Sequence, residues 1–262
     1  MARISFIILM ILGVLTGVIF AADPSLDLKL ASFFREMAVH PEARRFDRVI
    51  DAIRQTGPLL IAAAVAPAIV TLVMKTFSPQ RPAPMPARAA LFVVLALALG
   101  PGLLVNGILK ETWARPRPGM VTEFGGEYTF MPWWDLRGRC DSNCSFVSGE
   151  TSSAVWMTAP AMVVPPPWRY AALGAAGLYG IIFAFIRLLA SGHFMSDVLF
   201  AAIFTGLVIW AVHGVLFRWL ATRLPEKSLD AGLAKMGRNV MRFFAAFAQY
   251  RNASNKTTPP PV

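Results

Sequence analysis

Three short polar clusters interrupt an otherwise apolar chain, and their side chains match the oxygens of a phosphoryl group. "KETWARPRP" runs from Lys110 to Pro118, "SFVSGE" from Ser145 to Glu150, and "RLLASGHFMSD" from Arg187 to Asp197. Lys110, Arg115, Arg117 and Arg187 are cationic donors, and arginine forks fit phosphate oxygens. Ser148 and Gly149 stand where a helix should begin, and the unpaired N–H groups and dipole of a helix start attract anions. His193 and Asp197 are four residues apart, hence on one face if that stretch is helical. A carboxylate there can hold one imidazole nitrogen and leave the other as nucleophile or base. Taken singly, a basic residue at the end of an apolar segment is a snorkelling anchor, and Arg115 is the residue of this set that fits that role. His40 and His213 read as structural. Cys140 and Cys144 have no histidine near them, so no metal site is expected. They either close a disulfide beside the second cluster or stay as thiols.

The elements that must position these clusters are membrane spans. Hydrophobic residues make up 56% and charged residues 15% of the 262, and mean hydropathy is +0.54. Soluble domains carry about 25% charged residues. Six apolar segments are legible: Ile4 to Ala22, Pro58 to Met74, Ala89 to Leu109, Thr151 to Val164, Tyr170 to Ala190 and Val198 to Phe217. A span needs about 20 residues; the second is at the short limit, and the fourth reaches that length only if its helix starts near Ser148. The first reads as an uncleaved span rather than a signal peptide. The net charge of +10 is not a nucleic-acid signal, because basic residues gather in short connections and in the tail, as membrane topology requires. Lys75, Arg81, Arg88, Arg169 and the tail are expected on the inner side, and all three clusters on the outer side. The first outer loop has apolar residues at helical spacing (Leu26, Leu30, Phe33, Phe34, Met37), which predicts a helix lying on the membrane surface. The tail predicts a basic amphipathic helix able to rest on an anionic leaflet, followed by a Pro-rich end without fixed structure.

The residues resemble the type 2 phosphatidic acid phosphatase (PAP2) superfamily. Its first motif, Lys, six residues, Arg-Pro, matches Lys110, Arg117 and Pro118. Its second, Pro-Ser-Gly-His, reads Val147, Ser148, Gly149 and Glu150. Its third, Ser-Arg, five residues, His, three residues, Asp, reads Ile186, Arg187, His193 and Asp197. The resemblance implies an all-α membrane protein of six transmembrane helices with a PAP2-like helical core and an active site facing the periplasm. It implies a cofactor-free, metal-independent phosphatase acting on a lipid phosphate in a bacterial inner membrane. His193 would attack phosphorus and become phosphohistidine, with Asp197 orienting it. Lys110, Arg117, Ser148, Gly149 and Arg187 would bind phosphate. Glu150 stands where the family places its leaving-group acid; it could replace that acid, contact a substrate sugar or amine, or pair with an arginine.

"SFVSGE", with "FGG" at Phe124 to Gly126, resembles the branch acting on lipid A, for which Trp133 and Trp134 could serve as head-group contacts or as interfacial anchors. Undecaprenyl pyrophosphate, phosphatidylglycerophosphate and phosphatidic acid are the alternative substrates. A lipid phosphotransferase and a non-catalytic lipid-phosphate binder are the alternative activities. The expected organisation is a first transmembrane helix over 1–22, a periplasmic loop with an interfacial helix over 23–57, the catalytic core over 58–218 and a basic cytoplasmic tail over 219–262.

Overall fold

The computed structural model describes residues 2–41 and 47–256, and the regular elements among them are helical. Helix α1 covers Ala2–Ala22 and α2 Ser25–Val39. Helix α3 covers Asp47–Phe77 and α4 Ala87–Thr112. Helices α5 and α6 cover Gly149–Trp156 and Thr158–Val163. Helix α7 covers Trp168–Leu189, α8 Met195–Trp219 and α9 Glu226–Lys256. Residues 257–262, the Pro-rich end expected to lack fixed structure, lie outside the described residues.

Five of these helices (α1, α3, α4, α7, α8) are long and apolar enough to cross a membrane. The fourth expected span is different. Its helix does start after Ser148, whose Oγ accepts from the Thr151 N–H at 3.3 Å. It then breaks at Met157 and ends before Pro165. At about 1.5 Å per residue the pair α5–α6 rises about 22 Å, short of a hydrocarbon core of about 30 Å. A short element suffices because it is enclosed by protein: Trp156 is fully buried and its Nε1–H donates to the Val93 carbonyl at 3.1 Å. Around it a core of Val65, Phe92, Val93, Ala96, Ile209 and Val212 joins α3, α4 and α8. Satisfying every backbone group inside helices is what an apolar solvent demands.

Helix α4 widens to i→i+5 hydrogen bonding over Ala98–Leu109, around Pro101. Proline has no N–H to give and disrupts the regular ladder. Asn106 Nδ2 donates to the Pro101 carbonyl at 2.6 Å, which leaves its Oδ1 toward the site. Helix α3 starts well before Pro58, so the segment expected as outer loop is partly helix, and its first turns reach the site.

Helix α2 exists as the apolar spacing predicts, but a different face carries it. Asp27, Ala31 and Phe34 are buried, whereas Phe33 is 54% exposed. The helix is docked on the core, with Phe34 against Leu188 and Val198, rather than held by apolar contacts of the predicted stripe alone.

Candidate active site

The three clusters meet at one end of the bundle, where α4 and α7 end and α5 and α8 begin. His193 lies in the turn between α7 and α8 and is 2% exposed. Its Nδ1 is 2.7 Å from the Ser145 carbonyl oxygen. A carbonyl can only accept, so Nδ1 carries the proton and Nε2 keeps its lone pair. Burial, then the positive charges of Arg187, Arg117 and Lys110, push the His193 pKa well below 6.5. The imidazole is therefore neutral at neutral pH.

Asp197 is placed less directly than the sequence suggests. Its Oδ2 lies 3.9 Å from His193 Nδ1, beyond hydrogen-bond reach. That Oδ2 accepts instead from Ser145 Oγ at 2.5 Å and from the Phe194 N–H at 2.9 Å. The Asp197 backbone carbonyl accepts from the Ser148 N–H at 3.3 Å. Asp197 thus holds the Ser145–Ser148 segment, and that segment holds the imidazole.

The cations surround the start of α5. Lys110 Nζ donates to Asn143 Oδ1 at 3.3 Å, and Arg117 binds the same residue through Nη2 at 2.6 Å and Nε at 2.9 Å. Asn143 belongs to the loop closed by a Cys140–Cys144 disulfide, whose Cα atoms are 5.8 Å apart. Of the two states open to these cysteines, the structure has the bridged one. At Gly149 an added Cβ would stand 2.7 Å from Asn106 Oδ1 and 3.1 Å from Lys110 Nζ. A side chain there would displace the Asn106 amide and the Lys110 ammonium, so glycine lets both stand against the helix start. Burial pushes the Arg117 pKa down from its usual value, with Glu150 and Asp197 opposing.

Glu150 pairs with arginines. Its Oε1 accepts from Arg187 Nη1 at 3.1 Å and from Arg54 Nη2 at 3.3 Å. Its Oε2 is buried without a partner, as are Arg54 Nε and Arg187 Nε. All of these side chains adjoin or line a cavity of about 670 Å³ bounded by the first turns of α3, Lys110, Gly149, Glu150 and the α7 residues Tyr179 and Phe183.

Arg115 is not the surface anchor its position implies. It is fully buried. Its Nη1 donates to Asp197 Oδ1 at 2.5 Å and its Nη2 to Asp27 Oδ2 at 2.8 Å. Ser196 ties the same group together, its N–H and Oγ donating to the two Asp27 oxygens at 3.0 and 2.6 Å. The guanidinium also sits 4.4 Å from the Phe194 ring. Burial works against its charge, but the two carboxylates outweigh that and raise the pKa. A carboxylate from α2 is what makes a buried arginine tolerable here.

His213 stacks on Phe217 at 4.7 Å, far along α8 from the site, and His40 ends α2, its N–H donating to the Met37 carbonyl. Trp133 packs against Phe200 at 4.7 Å, and Trp134 is 44% exposed; neither lines the cavity. Sequence reading gave no role to Asp27, Arg54, Asn106, Asn143 and Ser145, although Ser145 opens the second cluster and Asp27 stands at helical spacing from Ala31 and Phe34.

Residues 89–221 match the PAP2 superfamily, a range containing all three clusters. The chain is similar to "Lipid A 4'-phosphatase" of Francisella tularensis subsp. novicida (strain U112), 30% identical over 222 residues, covering 83% of this chain and 98% of that protein. It is 47% identical over 103 residues to "Lipid A 4'-phosphatase" of Rhizobium etli, covering 39% of this chain and 40% of that protein. For the protein of the same name from Rhizobium leguminosarum the figures are 43% over 115 residues, 44% and 49%. No solved structure matches. With its motif residues gathered at one end of a helical bundle, its core matched and most of its length aligned with a relative, the chain belongs to the PAP2 superfamily.

Proposed function

We propose that this lipid phosphatase removes a phosphate from lipid A, at the periplasmic face of the inner membrane, through a phosphohistidine intermediate. The observation that carries the chemistry is a buried imidazole, neutral and with Nε2 free, beside a cluster of cations. His193 Nε2 attacks phosphorus. The bond from phosphorus to the lipid oxygen breaks, and that oxygen takes up a proton from water. A second water then cleaves the N–P bond, releasing inorganic phosphate and restoring the imidazole. Lys110, Arg117, Arg187 and the start of α5 at Ser148 and Gly149 hold the phosphoryl oxygens, and stabilising the charge spread over them is the largest contribution. Asp197 orients His193 through Ser145. Glu150 occupies the acid's slot by sequence, yet its Oε1 is engaged by two guanidinium groups. Its role here is to position Arg187.

The orientation rests on charge. Lys75, Arg88 and Arg169 lie at the end away from the site, where Lys75 pairs with Asp230 of the basic tail at 2.7 Å. That distribution favours the site end facing out. The substrate rests on the names of the relatives. Mass spectrometry of lipid A from a Gram-negative host expressing the chain tests both substrate and nucleophile. Loss of one phosphate is expected with the wild-type chain and none with His193→Ala at equal membrane levels. Unchanged lipid A with wild type, or the same loss with His193→Ala, would overturn the reading.

A further inference from the structure

Among the described residues, buried side-chain polar atoms without a partner number six, and three of them belong to one group: Arg54 Nε, Arg187 Nε and Glu150 Oε2. Unsatisfied buried polar atoms are costly, and a cluster of them calls for an explanation. Two are donors and one is an acceptor, so a ligand reaching this group can be held through both an acceptor and a hydroxyl or amide N–H. Arg187 is assigned above to the phosphate. Arg54 is outside the three motifs and comes from α3. It shares Glu150 Oε1 with Arg187, which places it beside the proposed phosphate position, in the wall of the cavity.

The cavity wall on that side has a composition of its own. Asp51, Arg54 and Gln55 line it from one turn of α3, Glu150 from α5 and Tyr179 from α7. Carboxylates, an amide, a guanidinium and a phenol together can bind a ring that carries hydroxyls on several carbons. Tyr179 and Phe183 rings stand 4.5 Å apart and supply an apolar face. Gly57 lets α3 come close to these rings; an added Cβ would stand 2.9 Å from Phe183 and 3.6 Å from the Tyr179 hydroxyl. A volume of about 670 Å³ is in the range of small-molecule pockets, about 300–1,000 Å³. A glycerol phosphate reaching the same cations would leave Asp51, Gln55 and Tyr179 without a partner from the ligand.

We propose that Asp51, Arg54, Gln55, Glu150 and Tyr179 form a saccharide subsite, which selects a phosphate carried on a sugar ring over one carried on glycerol. Arg54 donates to the sugar beside the ester, and Glu150 Oε2 accepts from a ring hydroxyl. This rests on the reading of the chain as a lipid A phosphatase.

The test is competition. The full chain, reconstituted in vesicles, dephosphorylates lipid A while glucosamine 4-phosphate or glycerol 3-phosphate is added as soluble inhibitor. Glucosamine 4-phosphate should inhibit wild type at least tenfold more strongly. Arg54→Ala should bring the two inhibition constants to within about threefold. Gln55→Ala and Tyr179→Phe, which remove single hydrogen-bonding groups, should each narrow the gap. Equal inhibition of wild type by the two compounds, or a preference for the sugar that survives all three substitutions, would overturn the subsite. Absence of His193-dependent release from lipid A would instead sink the functional reading, and the subsite with it.

Discussion

At the residue scale, the site turns on a histidine kept neutral. His193 is enclosed and faces three cations, and both effects disfavour its protonated form. The sign follows directly. A histidine with the ordinary pKa of about 6.5 loses half its nucleophilic form at that pH; one shifted down keeps it. The free-protein rate constant kcat/KM should therefore hold level as pH falls through 6.5, once the substrate's own ionisation is allowed for, and decline only at lower pH. A decline centred on 6.5 that the substrate does not explain would place the imidazole elsewhere. The same shift bears on stability. Below pH 6.5 the unfolded chain binds a proton that the folded chain refuses, so stability falls with pH in that window. Glu150 belongs to this scale too. If it positions Arg187, Glu150→Gln should lower kcat/KM by roughly ten- to a hundredfold, the worth of a charge-assisted hydrogen bond of about 1.5–3 kcal/mol. The shape of the pH profile should not change, because the departing oxygen takes its proton from water. A lost alkaline limb would make Glu150 the leaving-group acid.

At the element scale, helix α2 is the unexpected participant. Its Asp27 completes a buried network with Arg115, Ser196 and Asp197, and through Asp197 it supports the loop that holds His193. Removing one partner of a buried pair costs about 3–5 kcal/mol, because a charge is left without its counterion. Asp27→Ala should lower the thermal midpoint of the detergent-solubilised protein far more than Asp23→Ala, since Asp23 is at the exposed start of the same helix. Similar midpoints for the two variants would mean that α2 is a passive cover. Helices α5 and α6 make a related point. They are shorter than a regular span, yet they carry the chain from the site end to the opposite end, because they are walled by α3, α4, α7 and α8. Their start is thereby delivered at the depth of Lys110, Arg117 and Arg187.

At the scale of the whole molecule, the fold sorts its charges by end. The site gathers where α4 and α7 finish, and the opposite end carries Arg88, held by the Leu216 and Leu224 carbonyls, and the basic helix α9. The orientation proposed for the site is checked with single cysteines at two exposed positions, Glu123→Cys near the site and Lys227→Cys in the tail, the native cysteines being bridged. A membrane-impermeant maleimide applied from the periplasmic side should label the first and not the second. The reverse pattern would turn the molecule over and exclude lipid A on the outer leaflet as its substrate.

Much of this was legible in the sequence, because hydropathy and local spacing act along the chain. The apolar segments foretold α1, α3, α4, α7 and α8, since an apolar solvent leaves a backbone little choice but helix. The three clusters announced the PAP2 superfamily, since their residue types and intervals are local facts. Contacts between distant segments were not legible. Nothing in "RQTG" shows that Arg54 will meet Glu150, and nothing near Arg115 shows that Asp27, from another helix, will neutralise it. Those pairings depend on how α2 and α3 dock, which depends on packing over the whole bundle. The sequence by itself determined the long apolar helices, the residue types of the three clusters and the family to which they belong. The tertiary structure alone decided that Arg115 is a buried strut, that Asp197 acts through Ser145, and that Glu150 clasps two arginines, because each is a meeting of side chains that only the folded bundle brings within a few ångströms.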